Sequence, residues 1–167
     1  MSDSEQSIKV LNELLEKLTV ATPENRDDVA TEVASFINGD IIEHDAPQVF
    51  FDGLFKAIKD KKSAANALAT LRNIASESNL SPSIEPFVVS AVPLIADQCG
   101  HKDKDIQETA SQALVSVVKA VNPVAVKALL PHLTTALSNT NKWQEKVSIL
   151  ASITALVDSA KTQIALR

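Results

Sequence analysis

Glycine is scarce in this chain: Gly39, Gly53 and Gly100 are the only 3 among 167 residues. Tyrosine is absent, and the aromatics amount to 5 Phe and 1 Trp. An all-β sandwich or barrel needs many glycine-bearing turns and aromatic-rich strands, so the composition argues against that class. Three glycines set so far apart do not make a phosphate-cradling loop. Cysteine is reduced to Cys99, which leaves no internal disulfide and fits a reducing compartment. The start, Met-Ser-Asp-Ser-Glu-Gln-Ser, lacks the basic and apolar regions of a secretory signal. The most apolar stretch, 87–96, is interrupted by Ser90 and Pro93 and is far too short to span a bilayer. A cytoplasmic location with no membrane partner is expected. Strong charge of one sign is lacking too: 16 basic against 21 acidic residues give −5. That argues against a wholly basic nucleic-acid-coating domain but not against a local basic surface.

The chain does contain helical periodicity. Hydrophobic residues make up 45% and charged residues 22%, the balance of a folded domain. Ile8, Leu11, Leu14, Leu15 and Leu18 recur at three- and four-residue steps, the period of an amphipathic helix. Ser2 with Glu5, or Ser4 with Ser7, suits its N-terminal cap. Thr22-Pro23 reads as a cap and first residue for the next helix, which Gly39 ends as a left-handed cap. Asp45-Ala46-Pro47 opens a third helix carrying Phe50, Phe51, Leu54 and Phe55 as core residues, and a fourth holds Ala64, Ala67, Leu68, Leu71 and Ile74. Asn79-Leu-Ser-Pro-Ser breaks the pattern before two further pairs, in which Pro93 and Pro131 should bend the first helix. The pairs occupy about 4–38, 47–79, 84–121 and 124–160, all within one domain, 1–167.

These pairs repeat. Ala67, Leu71 and Ile74 match Ala110, Leu114 and Val117 at a shift of 43, and Ile106, Ala110 and Ala113 match Val147, Ala151 and Thr154 at a shift of 41. A two-helix unit of ~40–47 residues is the HEAT signature. The expected fold is all-α, an α-solenoid of about four HEAT-like helix pairs (an α-α superhelix). An ordinary eight-helix globule would not account for the matched spacings. Residues 162–167 read as the opening of a truncated further repeat. The exposed end of the stack should then self-associate weakly or fray over 142–167.

Catalytic chemistry finds no foothold. His44, His101 and His132 are isolated, and Cys99-Gly-His supplies only two candidate metal ligands where zinc wants four. His101 reads as a solvated turn residue and Cys99 as a small buried filler. No Gly-x-Ser-x-Gly elbow occurs, and Glu43-His-Asp reads as a wet loop in which Asp45 caps a helix. No catalytic, cofactor or metal site is expected, and an enzyme is the least supported class.

Charge placement says more. The turns inside the second, third and fourth pairs carry Lys59, Lys61 and Lys62; His101, Lys102 and Lys104; and Lys142, Trp143 and Lys146. A solenoid would align them along one edge, toward which every second helix points its N-terminus. Lysines and free backbone N–H groups there could meet an RNA backbone. Against this, Asp60, Asp103, Asp105 and Glu145 are interleaved, and turn residues are often charged simply because they are wet. The acidic stretch 40–45 lies between pairs, at the opposite edge. Trp143 fits either a packed position over the last two pairs, the preferred reading, or an interface anchor. A general protein-binding adaptor, gripping a peptide on the concave face, is the alternative to an RNA-contacting module.

Longer phrases point further. Met1-Ser-Asp-Ser-Glu-Gln-Ser-Ile-Lys-Val-Leu, Ile42-Glu-His-Asp, Asp60-Lys-Lys-Ser-Ala-Ala-Asn-Ala, Asn79-Leu-Ser-Pro-Ser, Val121-Asn-Pro-Val-Ala-Val-Lys-Ala-Leu-Leu-Pro-His-Leu-Thr and Thr140-Asn-Lys-Trp-Gln-Glu-Lys together resemble the N-terminal HEAT region of fungal translation elongation factor three, an ABC-type ATPase family. The resemblance covers the whole chain. It implies a ribosomal partner, namely RNA and proteins of the small subunit, rather than DNA. It also implies that the longer protein uses ATP and magnesium to promote release of deacylated tRNA from the exit site. No nucleotide-cassette motif occurs in this sequence, so no ATPase residue transfers to it.

Overall fold

A computed structural model describes residues 2–39, 46–76, 80–122 and 125–165. Its helices are α1 (Asp3–Thr19), α2 (Arg26–Gly39), α3 (Ala46–Lys59), α4 (Ala64–Ser76), α5 (Glu85–Ser90), α6 (Val92–Gln98), α7 (Lys104–Ala120), α8 (Val126–Asn139) and α9 (Trp143–Ala165). No strand occurs among the described residues. The architecture is the expected α-solenoid of HEAT-like pairs. The second helices, α2, α4, α7 and α9, lie side by side in chain order, and α1, α3, α5–α6 and α8 form a second layer behind them.

Local chemistry explains most boundaries. Ser2 and Glu5 form a reciprocal capping box: the Glu5 N–H donates to Ser2 Oγ at 3.4 Å, and the Ser2 N–H donates to Glu5 Oε2 at 2.9 Å. Thr22 does not cap α2. Its N–H donates instead to Asn25 Oδ1 at 2.7 Å, and the Asn25 N–H donates to the Thr22 carbonyl at 3.2 Å. That closes 22–25 as a turn and delays α2 to Arg26. Gly39 is the last helical residue of α2 rather than a left-handed cap. Pro93 does more than bend its helix: the chain breaks at Ala91 and restarts as α6 with Pro93 in its first turn. Pro131 remains inside α8. Helix α9 runs through Ala165 without interruption, so 162–165 continue the fourth pair instead of opening another. The acidic turn 40–45, with His44 and the Asp45 cap, and Asn79 lie outside the described residues.

Helix α4 is the centre of the stack. Ala64, Ala65, Asn66, Ala67, Leu68, Ala69, Thr70 and Leu71 are all buried, because α2 packs on one side, α7 on the other and α3 behind. Its small side chains let these neighbours approach closely. In the other layer Phe51 stacks face to face on Phe87, with centroids 4.9 Å apart, and so ties α3 to α5. Gly53 serves the same layer, since a Cβ there would lie 2.7 Å from Leu15 Cδ1 of α1.

A polar ladder crosses the second helices. Arg72 of α4 reaches Asp27 of α2 at 2.8 Å and Gln112 of α7 at 2.6 Å. Arg26 donates to Asn66 Oδ1 at 2.7 Å and pairs with Asp105 of α7 at 2.9 Å. Asn73 donates to Thr31, Ser76 to Ser116, and the Ser111 and Ser148 hydroxyls meet at 2.7 Å. The 43-residue register therefore holds: Ala67, Leu71, Ile74 and their counterparts Ala110, Leu114 and Val117 are all fully buried. The 41-residue register does not. Val147 is exposed, whereas the buried positions among the described side chains of α9 are Glu145, Ile149, Ser152 and Leu156. Counted at 43, Ile106 and Ala113 match Ile149 and Leu156.

Two substitutions separate core from ladder. Leu71→Ala should destabilise by about 2–5 kcal/mol, while Arg72→Ala should cost about 1–3 kcal/mol through the charged hydrogen bonds it removes. Urea unfolding followed by circular dichroism measures both, and equal costs would show that the ladder matters as much as the core.

Candidate nucleic-acid interface

The ladder fixes which ends of the helices lie together. Arg26, Asn66 and Asp105 stand at the N-terminal ends of α2, α4 and α7 and are bonded to one another, so the turns within the pairs share one edge. The fourth pair joins them through Gly100 and Lys142. A Cβ on Gly100 would lie 2.5 Å from Lys142 Cδ and 2.9 Å from Glu145 Oε2. Gly100 thus lies directly against the side-chain ends of Lys142 and Glu145, at the start of α9.

Every expected edge residue is at this edge. Lys59, Lys61, Lys62, Lys102, Lys104, Lys142 and Lys146 are exposed, and His101 is half-buried. The ion pairs among the described residues are Lys17–Glu32, Arg26–Asp105 and Arg72–Asp27. No edge lysine takes part in one.

The interleaved acids are engaged elsewhere. Asp60 Oδ1 accepts from the Lys62 N–H at 3.0 Å. Asp103 caps α7, accepting from the Asp105 N–H at 2.9 Å, and Asp105 pairs with Arg26. Glu145 is buried and accepts from the Thr140 hydroxyl at 2.7 Å. These carboxylates shape turns and helix ends rather than neutralise lysines. Three N–H groups along this edge, those of Lys62, Asp105 and Lys142, already donate to Asp60, Asp103 and Thr140.

Trp143 overturns its preferred reading. It is 68% exposed and does not pack over the last two pairs. It borders an open groove between α7 and α9, shared with Lys104, Gln107, Glu108, Gln144 and Val147. Sequence patterning missed this groove because it treated Val147 as core. The exposed row Trp143, Val147, Leu150 and Val157 on α9 follows steps of four, three and seven, the same helical period as a buried stripe. A second cleft, between α6 and α8, is lined by Asp97, His132, Asn139, Thr140, Lys142 and Glu145. No cluster of three or more metal-ligating side chains occurs among the described residues, and no helix there is long and apolar enough to cross a membrane.

Cys99 is the buried filler it was expected to be. Loss of hydration raises its thiol from 9.0 to about 11, with the Glu145 charge adding and the Ser111 and Ser148 hydroxyls opposing. His101 accepts the Asp103 N–H at Nδ1, at 3.0 Å, and so helps shape the α6–α7 turn.

This geometry defines a class: a HEAT-type α-solenoid whose intra-pair turns form a lysine-bearing edge. A family model described as EF3 N-terminal HEAT repeat matches residues 26–167. Elongation factor 3 of Zygosaccharomyces rouxii is 68% identical over 167 residues, which is all of this chain and 16% of that protein. Elongation factor 3A of Saccharomyces cerevisiae is 64% identical over the same span, also 16% of its length. Elongation factor 3 of Candida albicans is 50% identical over 99% of this chain. A solved, computationally designed armadillo repeat protein aligns over 92% of this chain and 69% of its own at 19% identity, with a TM-score of 0.47. The chain belongs to the elongation factor 3 family and corresponds to its N-terminal HEAT region. It spans about one-sixth of the length of these curated relatives.

The raised Cys99 thiol sets a pH dependence. The folded thiol holds its proton up to about 11 and the unfolded one only up to 9.0, so this contribution is intact below pH 9 and falls away between 9 and 11. By linkage it amounts to about 2–3 kcal/mol. Unfolding free energies measured across that window should fall more steeply for the wild type than for Cys99→Ala, and parallel curves would refute the assignment.

Proposed function

We propose that this chain is a non-catalytic docking module that holds a translation elongation factor against the ribosome, with its lysine edge on RNA phosphates of the small subunit. The observation that carries the reading is the division of charge at the edge. Lys59, Lys61, Lys62, Lys102, Lys104, Lys142 and Lys146 have no ion-pair partner among the described residues, while Asp60, Asp103, Asp105 and Glu145 are bonded to backbone, arginine or hydroxyl. Lysines left free in this way are the usual means of meeting a phosphate backbone, where contacts position rather than read sequence. Membership of the elongation factor 3 family supports the ribosome as the source of that RNA. ATP hydrolysis and release of deacylated tRNA belong, in this reading, to the remainder of a longer protein.

The adaptor alternative has less room. Arg72, Asn73, Asp27, Thr31, Gln112 and Ser116 on the second helices are bonded across the repeats, and a peptide lying there would have to displace them.

Ribosome co-sedimentation tests the reading. Replacing Lys61, Lys62, Lys102, Lys104 and Lys142 together with Glu should abolish binding at moderate salt. The slope of log affinity against log salt should flatten by about 0.7–0.9 for each phosphate that the edge no longer neutralises. Binding that survives the fivefold change unaltered would dismiss the lysine edge.

A further inference from the structure

We propose that Trp143 is a stacking platform for an unpaired RNA base, with Lys104 and Lys146 holding the phosphates on either side of that nucleotide. The inference rests on the docking reading and adds to it a residue, a mode of contact and a preference for single-stranded RNA.

Exposure is the first reason. Trp143 has 68% of its surface in water, so it adds little to the packing of the described helices, and it stands at the first position of α9, on the lysine edge. The second is what surrounds it. Across the groove stand Lys104, Gln107 and Glu108 of α7, and beside it on α9 stand Gln144 and Val147. Amide groups both donate and accept, which suits the edges of a splayed-out base, and an indole face accepts any base by stacking. Val147 extends the apolar footing by one turn. Lys104 flanks the ring across the groove, and Lys146 lies three residues further along the exposed side of α9. Neither is in an ion pair among the described residues. The one carboxylate in the groove is Glu108. It can accept an exocyclic amine, and it keeps phosphate to the lysine-flanked sides.

A protein anchor would present different surroundings. Tryptophan hot spots are matched by enclosed, desolvated apolar sockets, whereas this groove is open, and although side-chain stems make its floor mainly apolar, seven of its nine lining side chains end in an amide, hydroxyl or charge. A duplex would not serve either, because its bases are stacked on one another and closed to a protein ring.

The composition supplies the assay. Trp143 is the only tryptophan and tyrosine is absent, so the chain's tryptophan emission reports this one residue. Titration with oligouridylate and oligoadenylate should quench it saturably, while duplex RNA of equal length should bind with little quenching. Trp143→Ala should weaken single-stranded binding about tenfold, with Trp143→Phe retaining most of the affinity. Lys104→Glu with Lys146→Glu should reduce the salt slope without changing the helical circular dichroism. Saturable single-stranded binding with unchanged emission, and an undiminished Trp143→Ala variant, would overturn the stacking role while leaving ribosome docking intact. Equal quenching by duplex would overturn the single-strand preference. Quenching by RNA-stripped ribosomal proteins but by no RNA would overturn the proposal in favour of a protein contact. Failure of the docking reading shows separately, as co-sedimentation indifferent to the fivefold lysine change.

Discussion

Helix α4 is wedged between α2 and α7 and backed by α3, so no side of its first two turns meets water. A helix in that position cannot be amphipathic in the ordinary way. Its sequence answers with alanines, which allow close approach, and with Leu68, Leu71 and Ile74 for volume. The polar groups it does carry must then find partners, since an unmet buried donor or acceptor costs about 1–3 kcal/mol. Thr70 bonds the Asn66 carbonyl, Ser63 bonds that of Ala57, and Asn66 donates to the Ala21 carbonyl while accepting from Arg26. Arg26 is thereby held in the right place to reach Asp105 on the far side of α4. The ladder follows from the burial: side chains recruited to satisfy the central helix also bridge the first pair to the third.

That ladder also decides where charge is left over. Its carboxylates, Asp27 and Asp105, are matched by Arg72 and Arg26. The chain's two arginines within the described residues are thus consumed internally, where a planar fork can hold two partners at once. Lysine makes a poorer multi-partner bridge and a good free cation, and it is lysine that occupies the intra-pair turns. Turn formation engages more of the acid: Asp60 and Asp103 are directed at backbone N–H groups. The edge is basic because its lysines outnumber its acids and Asp105 is matched by Arg26, while the bonds to Asp60 and Asp103 fix where those charges sit without cancelling them.

How far the sequence can be read depends on whether the periodic signal has one cause or two. Ala67, Leu71 and Ile74 recur at 43 as Ala110, Leu114 and Val117 because both triplets face the same stacked interior, and pattern reading recovers both. Val147, Leu150 and Val157 keep the same helical period, at steps of three and seven, and are exposed. A one-dimensional pattern cannot distinguish a stripe that neighbouring helices cover from one they leave exposed, and this is why the 41-residue register and the packed Trp143 both fail. The edge lysines are legible, since helix pairs dictate where turns fall. The engagement of the acids between them is not, because Asp105 finds Arg26 across 79 positions. Nor is the role of Gly100, which depends on a close approach by Lys142 that no local motif announces. The delay of α2 to Arg26 is a smaller case: Asn25 outcompetes Thr22-Pro23 by closing the turn itself.

A net charge of −5 is at first sight ill suited to an RNA partner, and the ladder shows why that figure misleads. At physiological salt, charges more than about 8 Å away are largely screened. A phosphate resting on Lys61 or Lys104 therefore responds to the turn beneath it, and hardly to the acids of α1. Among the near acids, Asp105 carries its neutralising arginine with it and Glu145 is enclosed under Lys142 and Thr140. The long-range field of an acidic chain still acts on approach, opposing the encounter at low salt and fading as salt rises. Contact strength and approach rate should then respond to ionic strength in opposite directions, a combination that a uniformly basic domain does not produce.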